Sequence, residues 1–325
     1  MSQRIVFPTI IAPSAFPGVD APQSLLVSGT VAYDDIITPK ASGKRLLGGS
    51  ASYAALAAAF FTDSRLAGIV GGDFAEKDRK RLRSHGVDLD GLHTEAAGKT
   101  FFWSGKYHEN YNHRDTLETR LGVNAEPRPP LPEAWRETQF VLLANDAPTL
   151  QLAVLGQLHE PRFVLADTMN LWIETARKDL LRVAAHANLF VLNESEAELL
   201  SGESNLFFSG RKLLKETGAR SVLVKKGEHG ALLFHREGLF ALPAYPVTDL
   251  RDPTGAGDSF AGALVGVLAA LGRSDFTALK LAMLYATAVA SLTVESFSCD
   301  RLESAGVTEI ESRAAALREM TRLPG

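Results

Sequence analysis

The sequence has little of several features that define protein classes. It contains one cysteine, Cys299, so an intramolecular disulfide is impossible and the thiol is expected to be a small buried apolar group. Such sparing use of cysteine favours a reducing compartment. The formal net charge is -4, and a mildly acidic chain lacks the basic surface that neutralises phosphates. We therefore expect no nucleic-acid partner.

Long hydrophobic runs, repeats and low-complexity tracts are also missing. No run approaches the about 20 apolar residues of a membrane span. The longest, residues 261–271, is interrupted by Gly262 and Gly266 and is typical of a buried helix. Residues 1–24 lack the apolar core and cleavage site of a secretion signal, so we interpret them as a loosely ordered extension. We expect a cytoplasmic protein without membrane contact and with one domain, residues 25–325.

A regular alternation of patterns begins at about residue 139. Short apolar runs occupy residues 139–145, 162–168, 188–193 and 220–227, and helical spacing occupies 147–159, 171–186, 195–202 and 211–218. Continuous apolar strands between amphipathic helices indicate a parallel sheet covered on both faces. Ligands bind beyond the carboxyl ends of such strands. The residues that follow the strands are therefore candidates: Asp167, Asn193, Lys225 and Gly227.

The first third of the chain follows a different pattern. Strands are predicted for residues 25–38 and 65–73, and helices for residues 48–61 and 76–86. Residues 98–122 are rich in aromatics and threonine and nearly alternate, which interrupts the strand–helix rhythm. We interpret this segment, together with residues 30–47, as a small β lid over a site. The lid aromatics, Phe102, Trp103, Tyr107 and Tyr111, suit contact with a sugar ring or nucleobase and equally suit folding of the lid itself.

The stretch DPTGAGDSFAGALVG, residues 252–266, places two glycines and a carboxylate before an apolar helical pattern. Small residues at a helix start let free backbone N–H groups converge on an anion, so Gly255, Ala256 and Gly257 can form an anion cradle. Asp258 would repel that anion unless it removes a proton from the attacking group, as phosphoryl transfer to a hydroxyl requires. The alternative is that Asp258 only caps the helix.

Other ligand motifs are incomplete. The GKT at residues 98–100 has His93 where the first glycine of a Walker A loop is needed. A dinucleotide fingerprint that starts at Gly255 meets Phe260 at its third glycine, which disfavours an NAD-dependent oxidoreductase. The histidines show no metal-ligand spacing, so a structural zinc site is not predicted.

The motif at residues 252–266 resembles the C-terminal signature of the ribokinase-like (PfkB) carbohydrate kinase family. The likeness extends from about residue 25 into the 290s. It includes GTVAYDD at 29–35, GGSASYAALAAAFF at 48–61, NESE at 193–196 and VKKGEHG at 224–230. The resemblance implies a three-layer α/β/α fold with a mainly parallel central sheet and a β lid. It also implies an ATP-dependent kinase that phosphorylates a primary hydroxyl.

By position, the resemblance implies catalytic roles in the glycine-rich motif. Asp258 would be the general base. The backbone amides of Gly255, Ala256 and Gly257 would form the anion hole for the transferred phosphoryl group.

The resemblance also implies two ion sites. Asn193 and Glu196 would organise Mg²⁺ through water, although the same pair satisfies a capping box at a helix start. Asp252 and Thr254, with a carbonyl near Ser291, resemble the potassium-type cation site of part of the family.

Substrate and nucleotide residues follow in the same way. The implied substrate-binding residues are Asp34, Gly48, Gly49, Tyr53 and Asp167, and the implied nucleotide-binding residues are Asn193, Lys225, Gly227 and Gly230. Taken alone, an acidic residue at a strand end is ordinarily solvated, and adjacent lysines are ordinarily surface charges. Two departures from the family pattern stand out: Tyr53 replaces an asparagine, and Asn170 of DTMN comes one place late.

Together these features predict an ATP- and Mg²⁺-dependent kinase for a sugar or a nucleoside, with K⁺ as a further ion. Because lids in this family sometimes pair between subunits, the resemblance allows a homodimer through the lid. The alternative is a non-catalytic regulatory protein that binds a sugar or nucleotide on the same fold. Consumption of ATP distinguishes the two hypotheses.

Overall fold

The computed structural model describes residues 4–5 and 23–323, which form two sheets and the helices around them. The strands are β1 (Leu25–Ser28), β2 (Ala32–Ile37), β3 (Ser42–Gly48), β4 (Ser64–Gly71), β5 (Val87–Asp88), β6 (Leu92–Glu95), β7 (Phe101–Tyr107), β8 (Arg114–Arg120), β9 (Phe140–Leu143), β10 (Phe163–Asp167), β11 (Leu189–Asn193), β12 (Ser221–Lys225), β13 (Ala231–His235) and β14 (Gly238–Leu242). The helices are α1 (Ser50–Ala59), α2 (Glu76–Ser84), α3 (Pro148–Leu155), α4 (Asn170–Thr175), α5 (Arg177–His186), α6 (Glu194–Ser201), α7 (Leu206–Glu216), α8 (Ala256–Leu271), α9 (Phe276–Thr293), α10 (Asp300–Ser304) and α11 (Val307–Met320). Short 3-10 turns occupy Gly122–Ala125, Glu133–Trp135 and Gly227–His229.

The central sheet has the order β14-β13-β12-β11-β10-β9-β1-β4-β5, and β6 also pairs with β4. Neighbours from β12 to β5 run parallel, whereas β13 and β14 are antiparallel. The predicted mainly parallel sheet is thus confirmed. The antiparallel hairpin at its edge was not predicted. The carboxyl ends of β9 to β12 meet at one edge, which is where an open parallel sheet binds ligands.

Side chains of the central strands alternate between two buried clusters, one on each face. In β9, Phe140 and Leu142 belong to a cluster with α1, α8 and α9, whereas Val141 and Leu143 belong to one with α3, α5 and α7. All four side chains are 0% exposed. Because successive strand residues point to opposite faces, both faces are covered, and the three-layer α/β/α fold is confirmed.

Helices α1 and α8 pack backbone against backbone. A Cβ atom at Gly262 would lie 2.1 Å from the carbonyl oxygen of Ala54, and one at Gly266 would lie 3.1 Å from the Cα of Ala58. The glycines that interrupt the apolar run in the sequence therefore let α8 approach the alanine-rich α1. Any larger residue at Gly262 would push the two helices apart.

A second sheet, with the order β3-β2-β7-β8, forms the predicted lid. Strands β2 and β7 run parallel, and the two outer pairs are antiparallel. Strand β8 is exposed along its whole length. The strands lie within or next to the predicted segments 30–47 and 98–122, so the small β lid is confirmed.

Two predicted elements are divided in the structure. The single strand predicted for residues 25–38 is wrong: β1 lies in the central sheet and β2 in the lid. The chain changes sheets after Gly29, where a Cβ would lie 2.8 Å from the Ser50 Oγ. The helix predicted for residues 171–186 breaks at Ala176, whose φ of -137° is not helical.

Helix α9 is long and apolar enough to span a membrane by length and composition, contrary to the expectation from run lengths. Within the protein, 83% of its apolar window is buried, and it packs against α8. Such burial is typical of a core helix. Cys299 is also buried, as predicted.

Most of the N-terminal extension, residues 1–3 and 6–22, lies outside the described residues. Its predicted loose order therefore stays a prediction there. Ile5 is 3% exposed and its N–H donates to the Phe60 carbonyl at 2.9 Å. At that position the extension is packed against the core.

Candidate active site

The glycine-rich motif forms a turn that leads into α8. Gly255 has a φ of 79°, which side chains disfavour, and a Cβ there would lie 2.4 Å from the ring of Tyr53. Tyr53 is 1% exposed, and its hydroxyl has no hydrogen-bond partner within the described part of the chain. The tyrosine thus supports the turn from α1, and its predicted contact with substrate stays a prediction.

Two of the three predicted anion-hole amides are free. The Ala256 N–H donates to the Pro253 carbonyl at 3.2 Å, so it is already used. The N–H groups of Gly255 and Gly257 make no hydrogen bond among residues 4–5 and 23–323. They lie at the start of a 16-residue helix, where the helix dipole adds positive potential. Of the three amides predicted to bind the anion, those of Gly255 and Gly257 are therefore available.

Asp258 lies half-buried in the first turn of α8. Burial and the charge of Asp167 raise the pKa of its carboxyl to about 6, against the opposing charges of Lys225 and Arg114. A carboxyl that titrates near neutral pH is suited to act as a general base.

Lys225 and Asp167 form a buried ion pair beside this helix start. The Lys225 Nζ lies 3.0 Å from the Asp167 Oδ2, and it would lie 3.0 Å from a Cβ on Gly257. Burial favours a neutral lysine, but Asp167, Glu196 and Asp258 outweigh it and raise the pKa of Lys225. The lysine therefore keeps its charge beside the cradle.

Asn193 and Glu196 form the capping box that the sequence allowed. The Asn193 Oδ1 accepts from the Glu196 N–H at 2.9 Å, and the Glu196 Oε2 accepts from the Asn193 N–H at 2.7 Å. Burial raises the pKa of Glu196 to about 7, against the opposing charge of Lys225.

The cap leaves the Glu196 Oε1 outside its hydrogen bonds. Within the described ranges, no cluster of three or more His, Cys, Asp or Glu side chains is arranged to hold a metal. Mg²⁺ often binds through one carboxylate, waters and substrate phosphates. The residues present fit that mode of binding and do not form a protein cage.

Asp34 faces the interior from β2, whereas its neighbour Asp35 accepts a backbone N–H of β3 at 2.6 Å. Asp34 is 4% exposed and accepts the N–H of Gly49. A Cβ on Gly48 would lie 1.9 Å from the Asp34 Oδ2, so the glycine leaves the space that the carboxylate occupies. The structure therefore brings three of the predicted substrate residues together.

The carboxylate of Asp34 is electrostatically coupled to two others. Burial, together with the charges of Asp252 and Asp258, raises the pKa of Asp34 to about 8. Without a ligand, Asp34 is therefore neutral over much of the physiological pH range. A protonated carboxyl can both donate and accept hydrogen bonds to sugar hydroxyls.

Asp252 is 0% exposed, and burial raises the pKa of its carboxyl to about 6. Its Oδ1 accepts the Thr254 N–H at 2.9 Å, whereas its Oδ2 has no partner among the described residues. An orphaned buried carboxylate oxygen fits an unfilled cation contact. The Ser291 hydroxyl is bonded to Arg313 and to the Ala288 carbonyl, and the predicted contact of a backbone carbonyl near Ser291 with the cation stays a prediction.

Two polar contacts join the lid to the core beside these groups. The Tyr107 hydroxyl lies 3.0 Å from the Thr254 Oγ1, next to the glycine turn. The Asn112 Nδ2 donates to the Glu228 Oε1 at 3.0 Å, beside Gly227. The lid is therefore closed over the edge of the sheet where the predicted site residues meet.

The two predicted nucleotide glycines have different surroundings. Gly227 has a φ of 51°, and a Cβ there would meet only the Asn112 Oδ1, at 3.5 Å. A Cβ on Gly230 would lie 2.0 Å from the Leu242 carbonyl oxygen. Gly230 is thus required by the neighbouring strand, whereas Gly227 leaves open space at the strand end.

Trp103 lies on the lid face that turns toward the site. It pairs with Asp34 in the parallel strand β2, and its ring lies over Gly105. Phe102 points to the other face, where the guanidinium carbon of Arg120 lies 4.1 Å from its ring centroid. Tyr111, in the β7–β8 turn, buries its hydroxyl without a hydrogen-bond partner in the described ranges. Of the lid aromatics, Trp103 and Tyr107 are positioned toward the site.

Arg114 is a residue near the site that the sequence did not reveal. It begins β8 and pairs directly with Tyr107 of β7. Its positive charge lowers the pKa of both Asp258 and Glu196. Only the register of the β7–β8 hairpin brings it there, and one sequence does not give that register.

Comparison with known proteins agrees with this arrangement. The family described as pfkB family carbohydrate kinase matches residues 24–305. A cytidine kinase of Thermococcus kodakarensis is 31% identical over 257 residues, which cover 77% of this chain and 88% of that protein.

Solved structures show the same fold. The nucleoside kinase of Methanocaldococcus jannaschii superposes with a TM-score of 0.71 at 20% identity, covering 91% of this chain and 100% of that one. The nucleoside kinase of Burkholderia thailandensis in complex with inosine gives 0.70 at 19% identity, covering 90% and 98%. With its glycine turn, parallel sheet and lid, this chain belongs to the pfkB family of carbohydrate kinases.

Proposed function

We propose that the protein transfers a phosphoryl group from ATP to the primary hydroxyl of a nucleoside. Membership of the family makes it a carbohydrate or nucleoside kinase. The choice of a nucleoside is supported by its similarity to the cytidine kinase over most of both chains. The observation that carries the chemistry is the position of Asp258, beside the free amides of Gly255 and Gly257.

In this mechanism Asp258 takes the proton of the substrate hydroxyl. The hydroxyl oxygen then forms a bond to the γ-phosphorus of ATP while the bond to the β–γ bridging oxygen breaks, and ADP leaves. The amides of Gly255 and Gly257, with the charged Lys225, stabilise the negative charge on the transferred group. The elevated pKa of Asp258 makes it a stronger base than an ordinary aspartate.

The other groups position the reactants. Asp34, whose carboxyl fits against Gly48, bonds sugar hydroxyls, and the open strand end at Gly227 receives the nucleotide. Glu196 would hold Mg²⁺ through water, which neutralises phosphate charge. Asp252 would contact a monovalent cation behind the glycine turn.

Replacement of the base tests the chemistry. We expect Asp258→Asn to bind nucleoside and nucleotide but to lower kcat by about 10²–10⁴-fold, the usual contribution of a general base. Binding is measured by calorimetry and turnover by release of ADP. If the variant turns over at a near-normal rate, Asp258 is not the base.

A panel of acceptors tests the substrate class. Cytidine, uridine, adenosine and inosine are compared with ribose and fructose at equal concentration. We expect kcat/KM for the best nucleoside to exceed that for ribose by about tenfold or more, since a base adds buried contact area. Equal values for ribose and the nucleosides would contradict a nucleoside kinase. The absence of ATP consumption with every acceptor would instead favour a regulatory binding protein.

A further inference from the structure

The catalytic edge of the core carries more negative than positive charge. Its acidic side chains are Asp167, Glu196, Asp252 and Asp258, and the cation that lies among them is Lys225. Lys225 is already paired with Asp167. Phosphoryl transfer adds the charge of ATP to this site, so the reaction benefits from a further cation close to the transferred group.

The geometry of the lid directs such a cation, Arg114, toward the glycine turn. Arg114 and Tyr107 are directly opposed residues of the antiparallel β7–β8 pair, so their side chains leave the sheet on the same face. Tyr107 reaches Thr254, the residue before Gly255. Arg114 therefore projects from the lid toward the glycine turn. Its guanidinium carbon lies 5.6 Å from the ring centroid of Trp103, on the same face.

The guanidinium of Arg114 is available to a ligand. Its side chain is exposed, and it forms no ion pair with any of the described residues. The electrostatic influence of Arg114 on Asp258 and Glu196 shows that its charge acts on the two carboxyls assigned to proton transfer and to magnesium. An exposed, unpaired arginine on the inner face of a lid is poised to bind an anion in the cleft.

We propose that Arg114 is a catalytic residue carried by the lid, and that its guanidinium binds the phosphoryl group transferred from ATP. The inference rests on the proposed kinase function and extends it, because it assigns part of the catalytic charge to the lid and not to the core. The Tyr107–Thr254 contact sets the position of Arg114 when the lid is closed. Stabilisation of the transferred group is therefore complete only with the lid in place.

The strand offers a matched control. Arg120 lies on β8 as well, and its guanidinium also covers an aromatic ring of β7, that of Phe102. Phe102 and Arg120 form a cross-strand pair on the face that turns away from the site. Substitution of Arg120 therefore reproduces the loss of an arginine and of a cation–aromatic contact from the lid without touching the cleft.

The experiment compares Arg114→Ala, Arg114→Lys and Arg120→Ala in the full chain. For Arg114→Ala we expect kcat to fall by about 100-fold or more, as with loss of an arginine that stabilises the transferred group. Arg114→Lys should recover part of this loss because it keeps the charge but not the fork of donors. Arg120→Ala should stay within about twofold of the unmodified enzyme.

A binding measurement gives a second readout that needs no turnover. We expect Arg114→Ala to weaken a non-hydrolysable ATP analogue by about tenfold and to change the Kd of ADP by less than about twofold, because only the analogue carries the γ-phosphate. Equal weakening of both ligands, or an equal effect of Arg120→Ala, would overturn the proposal.

These results separate the role of Arg114 from the choice of acceptor. Analogue binding involves no acceptor, so a selective loss in Arg114→Ala supports the proposal even if nucleosides are not phosphorylated. Failure of the unmodified enzyme to phosphorylate any nucleoside would refute only the proposed substrate class.

Discussion

The central sheet and the lid are both β-structures, but they are stabilised in different ways. In β9 both faces are buried, and Phe140 and Val141 are each 0% exposed on opposite sides. In the lid, β8 is exposed at every residue, and contact with the core near the site comes from single polar bonds such as Tyr107 to Thr254. The core can therefore fix its groups before any ligand arrives. Within the lid, Tyr33 and Leu47 are anchored in the core cluster, so only the exposed β8 side of the lid depends on contacts that a ligand can strengthen or replace.

The two regions also contribute opposite charges. The core supplies the carboxyls of Asp252 and Asp258; burial raises both pKa values, and the charge of Asp167 also raises that of Asp258. The lid supplies the guanidinium of Arg114, which lowers the pKa of Asp258. Closure of the lid thus brings positive charge to an edge that the core alone leaves acidic. The predictions below test this division.

The largest expected difference between the two regions is in stability. Phe190→Ala, in β11, removes a side chain that is 0% exposed and should lower the free energy of unfolding by about 3–5 kcal/mol. Leu117→Ala, in β8, truncates a side chain that is 54% exposed and should change it by less than about 0.5 kcal/mol. Urea denaturation measures both. Comparable losses would mean that the lid is as tightly packed as the core.

A smaller effect is expected from Asp34, the buried carboxyl on β2 of the lid. Because the pKa of Asp34 is about 8 in the folded protein, the folded state binds a proton that the unfolded chain releases above about pH 4. Its contribution to stability therefore declines as pH rises from about 4 to about 8. Asp34→Asn should raise the Tm of the ligand-free protein by a few degrees at pH 8, and by less at pH 5.

The comparison of Tm at pH 5 and pH 8 also defines the result that would contradict this prediction. An equal Tm shift for Asp34→Asn at both pH values would contradict the raised pKa of Asp34. Asp35→Asn provides the control, since Asp35 lies next to it on β2, accepts the Arg45 N–H, and makes the smallest of the contributions that raise the pKa of Asp34.

The smallest effect is expected at the junction of the two regions. Tyr107→Phe removes the hydroxyl that contacts Thr254 and keeps the ring. We expect a loss of about 1 kcal/mol in closure of the lid, seen as a roughly fivefold rise in the KM for the acceptor with little change in Tm. A change in Tm without a change in KM would assign the bond to folding and not to closure.

Much of the core could be predicted from the sequence because its signals are local. Apolar runs give the strands of the parallel sheet, and the glycine turn before Asp258 lies within a few residues of the helix it opens. The assignment of β1 and β2 to one strand failed because both are apolar segments, and only tertiary packing at Gly29 separates them.

The electrostatics of the site could not be predicted, because they depend on contacts between distant residues. The pairing of Asp167 with Lys225 requires the strand order, since the two residues end strands that lie on either side of β11. The position of Arg114 requires the register of the hairpin. The use of the Ala256 amide by Pro253 depends on the exact turn geometry, which a run of small residues leaves free.

The tight crossing of α1 and α8 has a consequence for how such an enzyme can change. Helix α1 follows Gly48 and Gly49, and α8 begins at the glycine turn before Asp258. Because Gly262 packs directly against the backbone of Ala54, neither helix can slide along its axis without moving the other. In the proposed mechanism, this crossing fixes the distance between the acceptor hydroxyl and the γ-phosphate. New acceptors are most easily accommodated by reshaping the hairpins above it.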